Sequence, residues 1–351
     1  MRRFLLTLTI AMLLIVGVPV HADDLLFDRF RDYIESLRAQ AGIPGLAAAI
    51  VGSNDIVWER AYGQQEVARS VATRTDTPFH LDAVTQMFTA SLVLRCVEEG
   101  RLSLDDRAGQ FSPTSPDANA TVRQLLTHTS GASDGLAFAY HPERLEPLRF
   151  ALSACTGDSS REMLANLLDR LAMTDSVPGA DAIHMVPPYQ GVTAAAIERY
   201  TAVLQRLATP YAVDKQGRAS PSQYAATSIT PENGLISTVR DVARFDLALR
   251  KGVIVRADTL AAAWRAPAGR GGQPLPHGMG WFVQSYSGQT VVWQFGVSDN
   301  ASSSLVVTAP ARGLTLILLA NSDGLVKPFA LAAGDLTASP FGRVFLELFV
   351  R

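Results

Sequence analysis

Few residues of this chain combine a reactive type with a suggestive spacing. Gly131-Ala132-Ser133-Asp134-Gly135 has the Gly-x-Ser-x-Gly spacing that exposes a serine for acyl transfer when it sits on a sharp strand-to-helix turn. Residues 125–130 read as a helix end, so the preceding strand is missing and the match reads as chance. Asp82 opens a helical stretch and could serve as a base for water, although a helix cap or first-turn acid is the stronger expectation. Thr85 lies one residue from Gln86, and that offset turns it by about 100° around a helix. The histidines after the leader, His80, His128, His141, His184 and His277, are scattered without the spacing of metal ligands. Neither a metal nor a cofactor is expected.

These residues must be positioned by a mixed set of elements. Apolar residues at helical spacing (Leu26, Phe30, Ile34, Leu37) predict a helix over 25–41, stopped by Gly42-Ile43-Pro44-Gly45. A hairpin follows, with strands over 46–51 and 56–63. Helical text returns at 87–99, 162–173, 194–207 and 239–250, between connections rich in Pro and Gly. Strands are predicted at 280–286, 290–295, 302–308 and 314–321, and a last helix at 341–349. This order predicts an α+β fold, an α/β sandwich in which an antiparallel sheet built from both ends of the chain is flanked by helices. An all-helical lobe is inserted between the two ends. The expected division is a sheet lobe at 23–81 and 271–351 and a helical lobe at 82–270, with a site at the seam.

Arg2 and Arg3 precede an apolar run, Phe4 to Val18, and Val20-His21-Ala22 offers small residues for cleavage. Residues 1–22 therefore read as an export signal, and no stable membrane span is expected once they are removed. The product is expected in the periplasm or secreted. Of the 351 residues 48% are hydrophobic and 18% charged, enough to bury a large core without disorder. The formal net charge is −2, with Lys and Arg dispersed, which argues against a nucleic-acid partner. A disulfide between Cys96 and Cys155 is permissible outside the cytoplasm, and two buried thiols are the alternative.

Longer strings carry more information. Phe79-His80-Leu81-Asp82-Ala83-Val84-Thr85-Gln86-Met87-Phe88-Thr89-Ala90 is followed by Thr121-Val122-Arg123-Gln124-Leu125-Leu126-Thr127-His128-Thr129-Ser130-Gly131. Pro231-Glu232-Asn233-Gly234-Leu235-Ile236-Ser237-Thr238 and Leu316-Ile317-Leu318-Leu319-Ala320-Asn321-Ser322 follow in the same order. Together these strings resemble the landmarks of the penicillin-recognising serine hydrolases, the family of class C β-lactamases and penicillin-binding proteins. The likeness runs along nearly the whole chain after the leader and is weakest between 174 and 230.

The resemblance implies three catalytic elements, and each is altered here. In that family a Ser attacks the substrate carbonyl and a Lys three residues later, on the same helix face, takes its proton. The matching positions are Ala83 and Gln86, and neither a methyl group nor an amide can do that work. The second element, Tyr-x-Asn, keeps Tyr140 and has Pro142 where the Asn would be. Tyr140 could face a ligand or be a half-buried aromatic. The third, a Lys or His one residue before a Gly, is Gln294 with Gly296 retained. Main-chain N–H groups at Ala83 and Val297 would form the oxyanion hole, whatever their side chains.

Losing a serine nucleophile costs about a millionfold in turnover, or roughly 8 kcal/mol. The expectation is therefore a catalytically inactive homologue that binds a small-molecule or peptide ligand at Ala83, Tyr140, Gln294, Gly296 and Val297, acting as an accessory protein of the cell envelope. The alternative is a hydrolase, acting on esters, peptides or β-lactams by an altered mechanism through Asp82, Tyr140 or Ser133. A third expectation is an interaction protein whose cleft is filled by bulky side chains such as Phe295.

Overall fold

A computed structural model describes residues 22–132, 134–187, 189 and 192–351. The expected leader, apart from Ala22, and Ser133 lie outside the described residues.

Twelve strands are described: β1 Gly45–Val51, β2 Ile56–Glu66, β3 Val71–Ala72, β4 Phe79–His80, β5 Val177–Pro178, β6 Tyr211–Val213, β7 Ala219–Pro221, β8 Leu235–Ser237, β9 Phe282–Tyr286, β10 Gln289–Ser298, β11 Ser302–Ala309 and β12 Leu314–Ala320. The helices are α1 Ala22–Gln40, α2 Thr85–Glu98, α3 Val122–Leu126, α4 Leu148–Thr156, α5 Ser160–Arg170, α6 Ala194–Leu204, α7 Val239–Arg250, α8 Ala257–Ala263 and α9 Pro340–Phe345. The predicted final helix is α9 continued by a π-helical turn, Leu346–Val350.

Seven strands form an antiparallel sheet in the order β3-β2-β1-β12-β11-β10-β9. The first hairpin thus joins the last strand, with Leu46 opposite Ala320 and Val51 opposite Thr315. Both faces are covered, which explains why the sequence of β1 reads as one continuous apolar run. Its Ala47, Ala49 and Val51 enter a core shared with α2, α4, α5 and α7. Its Leu46, Ala48 and Ile50 enter a second core, built with α1 and α9 through Phe30, Ile34, Phe341 and Phe345. The α+β sandwich expected from the order of elements is the fold observed.

Helix starts follow local chemistry. Thr121 caps α3 in a reciprocal capping box with Gln124, and Ser159, Thr193 and Thr238 cap α5, α6 and α7. The short helices α4 and α8 carry too few turns for a clear periodicity and are not expected from the pattern, whereas α3 ends within the helix end read at 125–130. A small sheet, β4-β8-β5, was also unforeseen, because two- and three-residue strands are defined by their partners. Its β8 pairs with β4, where Phe79 faces Ser237, and so holds the start of the segment that leads into α2.

The disulfide alternative is realised. Cys96 on α2 and Cys155 on α4 are bonded, with Cα atoms 6.1 Å apart, and clamp two helices of the first core. Among the described residues, no helix is long and apolar enough to cross a membrane.

Candidate functional site

Three chain segments meet at the edge of the sheet. A single 3₁₀ turn, Asp82–Val84, carries Ala83 and leads into α2, whose first turn carries Gln86. Tyr140 sits just before the 3₁₀ turn Pro142–Leu145, where Pro142 occupies the first position and brings no side-chain donor. Gln294, Gly296 and Val297 lie near the end of β10. Ala83, Tyr140 and Val297 are partly exposed, whereas Gln86 and Gln294 are fully enclosed.

Gly296 makes the closest approach. A Cβ there would lie 2.3 Å from Leu81 O and 2.7 Å from Ala83 N, so only glycine lets β10 pack against the turn. The Ser304 hydroxyl, opposite Gly296 on β11, donates to Leu81 O at 2.6 Å and fixes the same turn.

The side chains beneath this surface form one directional hydrogen-bonded chain. His128 Nδ1 accepts the main-chain N–H of His141 at 3.4 Å, which leaves its proton on Nε2. Nε2 then donates to Gln86 Oε1 at 2.9 Å. Gln86 Nε2 donates to the Tyr140 hydroxyl at 2.9 Å, and that hydroxyl donates to Gln294 Oε1 at 3.3 Å. Gln294 Nε2 ends the chain on Gly280 O, at 3.3 Å. Each polar atom of these side chains has a partner, and none of the bonds requires a charge.

Burial keeps the titratable members neutral near pH 7. It holds His128 well below the usual histidine range, with His277 nearby adding to the effect. The His277 ring, 4.6 Å from that of His128, is pushed down to about 3 by burial. The Tyr140 hydroxyl is raised, again chiefly by burial. An aromatic wall supports the chain: Tyr140 lies 5.2 Å from both Phe282 and Phe295, measured between ring centroids. Phe295 points into the second core, on the opposite side of β10 from Gln294.

Several expectations need revision. Asp82 stands in the first turn but caps nothing. Its backbone adopts φ 48°, and its carboxylate turns inward to accept the Ser302 hydroxyl at 2.8 Å. The other oxygen lies 3.2 Å from His80 Nδ1, and His80 in turn stacks on Tyr224. This His80–Asp82–Ser302 cluster joins residues far apart in sequence, and no local pattern announced it. His128 is buried and links the main chain of His141 to Gln86. Its place in the Thr-His-Thr-Ser-Gly string was the available signal. Thr85 turns away as predicted, its hydroxyl accepting Leu235 N at 3.3 Å. Residues 122–126 ahead of the Gly-x-Ser-x-Gly string are helical, so no strand leads into it. Among the described residues, no group of three or more His, Cys, Asp or Glu is placed to hold a metal ion.

A family model described as Beta-lactamase matches residues 30–337. This chain belongs to the beta-lactamase family. Penicillin-binding protein 4 of Amycolatopsis lactamdurans is 33% identical over 108 residues, which is 29% of this chain and 28% of that protein. The chain therefore matches only about a quarter of that relative's length. The octameric penicillin-binding protein homologue from Pyrococcus abyssi superposes with a TM-score of 0.72 at 20% identity, over 92% of this chain and 77% of that one. A penicillin-binding protein from Bacillus halodurans superposes with a TM-score of 0.66 at 18% identity, over 82% and 94% of the two chains. At such identities the superpositions establish the beta-lactamase-family fold alone.

Proposed function

We propose that this chain is a non-hydrolytic member of the beta-lactamase family that binds a small-molecule or peptide ligand in its residual cleft, as an accessory protein of the cell envelope. One observation carries the reading. Gln86, Tyr140 and Gln294 satisfy one another in a closed neutral chain beside Ala83, where acyl transfer would require a nucleophile and a base. Gln86 donates its amide N–H to Tyr140 and accepts the His128 Nε2–H, so no member is left to accept a proton from a substrate-activating hydroxyl. Asp82, the nearest carboxylate considered for an altered mechanism, is enclosed and engaged by Ser302.

Partly exposed Ala83, Tyr140 and Val297 would form the floor of the ligand cleft, with main-chain N–H groups at Ala83 and Val297 offered to a carbonyl oxygen. The Cys96–Cys155 disulfide supports an oxidising destination, the periplasm or the exterior.

The test is incubation of the purified protein with a fluorescent penicillin and with an activated ester, read by intact mass and by turnover. An Ala83→Ser/Gln86→Lys double variant is run in parallel. The unaltered protein is expected to give neither an adduct nor saturable turnover. A covalent adduct on any residue of the unaltered, folded protein would overturn the proposal.

A further inference from the structure

Among the asparagines of this chain, only Asn233 precedes a glycine; Asn54, Asn119, Asn166, Asn300 and Asn321 are followed by residues whose side chains shield the next main-chain nitrogen. The fold demands glycine at 234. Its φ is 102°, and a Cβ there would lie 2.3 Å from Ser228 O and 2.8 Å from Ile229 Cα. The Gly234 nitrogen thus has no side chain beside it, for a packing reason independent of Asn233.

The Asn233 side chain is folded back on that nitrogen. The Gly234 N–H donates to Asn233 Oδ1 at 2.7 Å and meets no other acceptor among the described residues. This bond holds the nitrogen beside Cγ, the carbon that carries Oδ1. The turn at 230–233 fixes the residue from the other side: Asn233 N donates to the Thr230 hydroxyl at 3.1 Å, and Thr230 N donates to Asn233 O at 2.8 Å. Asn233 is half-buried, yet its Nδ2 is not enclosed and has no hydrogen-bond partner among the described residues, so a leaving amine faces solvent. Gly234 leads into β8, where Leu235 N donates to Thr85 Oγ1 at 3.3 Å and Leu235 O accepts Leu81 N at 2.8 Å.

We propose that Asn233 is a modification site at which the chain deamidates itself, with the Gly234 nitrogen as nucleophile. That nitrogen loses its proton to solvent base and bonds to Asn233 Cγ; the Cγ–Nδ2 bond breaks, and Nδ2 takes a proton from water and leaves as ammonia. Proximity drives the step, because nitrogen and carbon are held together before reaction. Water then opens the succinimide ring. Addition at Cγ gives aspartate at 233, and addition at the main-chain carbonyl gives isoaspartate, in which the chain runs through the side-chain carbon. Nothing is oxidised or reduced, and water is the sole co-reactant. Either product places a new carboxylate next to Glu232, whose Oε2 is already enclosed without a partner. Isoaspartate also lengthens the main chain just ahead of β8, the strand that holds the start of the segment leading to Ala83. The inference does not depend on what the cleft binds.

The test is prolonged incubation of the purified, folded protein in mildly alkaline buffer, sampled by peptide mass spectrometry and by enzymatic methylation of isoaspartate. A blocked peptide of residues 231–237 is incubated in parallel. Asn54, Asn119, Asn166 and Asn300 are all more exposed than Asn233, so exposure alone would make them react first. Asn233 is instead expected to convert roughly tenfold faster than any of them, giving both products at a rate that rises with pH. The thermal midpoint should fall as isoaspartate accumulates. In Asn233→Gln the same attack would have to close a larger ring, and conversion at 233 should cease over the same period. If that variant does not fold, the order in which the asparagines of the unaltered protein react decides the matter. Asn233 left intact in the folded protein, whether or not the peptide converts, or another asparagine converting first, would overturn the proposal.

Discussion

Gln86 Nε2 and the Tyr140 hydroxyl lie 2.9 Å apart, although 54 positions separate them in sequence. Gln86 hydrogen-bonds both His128 and Tyr140, so it couples α2 to both of those segments. Replacing it with leucine would leave the His128 Nε2–H without an acceptor and take from the Tyr140 oxygen the donor it accepts, while its bond to Gln294 remains. Gln86→Leu is expected to destabilise the protein by about 2–3 kcal/mol, whereas Tyr140→Phe, which removes one hydroxyl, should cost about 1–2 kcal/mol. Urea denaturation with an unchanged slope checks both values.

The closed chain also predicts that restoring one element is harmful. In Gln86→Lys an ammonium, which has donors only, would face the His128 Nε2–H that now donates to Gln86. The single variant should lose several kcal/mol unless His128 changes tautomer, and its thermal midpoint should fall well below that of Ala83→Ser. Equal midpoints for the two single variants would contradict the polarity assigned to the chain.

Stability should fall in mild acid through the buried histidines. His277, and His128 with it, titrate in the fold below the value of about 6.5 that each has when unfolded. The unfolded chain therefore binds more protons below that pH. Their contribution is fully present above about pH 6.5 and is lost as pH falls towards the folded value, about 3 for His277. The limiting slope is about 1.4 kcal/mol per pH unit for each histidine. Asp241 and Asp246, raised by burial, act with the opposite sign, because the folded chain then holds the extra proton. The informative quantity is therefore the difference in slope between the unaltered protein and His277→Asn from pH 7 to 5, which should be shallower in the variant.

The Cys96–Cys155 bond closes a separation of 59 residues that includes His128 and Tyr140. Loop-closure entropy on that scale stabilises by about 4 kcal/mol. Cys155→Ser, or the unaltered protein in excess dithiothreitol, should show a urea midpoint lowered by a matching amount. Coincident midpoints with and without reductant would show that the strut contributes nothing.

Gly296→Ala tests the close approach of β10 to the turn at Ala83. The added methyl would fall 2.3 Å from Leu81 O, well inside contact distance. A loss of more than about 2 kcal/mol is expected, since backbone on both sides must move. Gly288→Ala is a useful contrast, because nothing lies within 4 Å of that Cβ position and only its positive φ opposes the change.

The linear order of residues determined the architecture and the chemical types at the site. A 3.6-residue period marked the long helices, and apolar runs bounded by turn residues marked the long strands, because a helix turns one stripe to a core whereas a strand of a sheet covered on both faces is apolar throughout. The absence of serine at 83 and of lysine at 86 was equally legible, since identity needs no coordinates. What only the tertiary structure decided was which groups meet. His128 reaches Gln86, Gln294 reaches Gly280, Asp82 turns inward to Ser302, and Cys96 finds Cys155. Each pairing depends on helix and strand packing that brings distant segments within about 3 Å, and a hydrogen bond is lost within a further ångström. Local propensity carries no information at that distance.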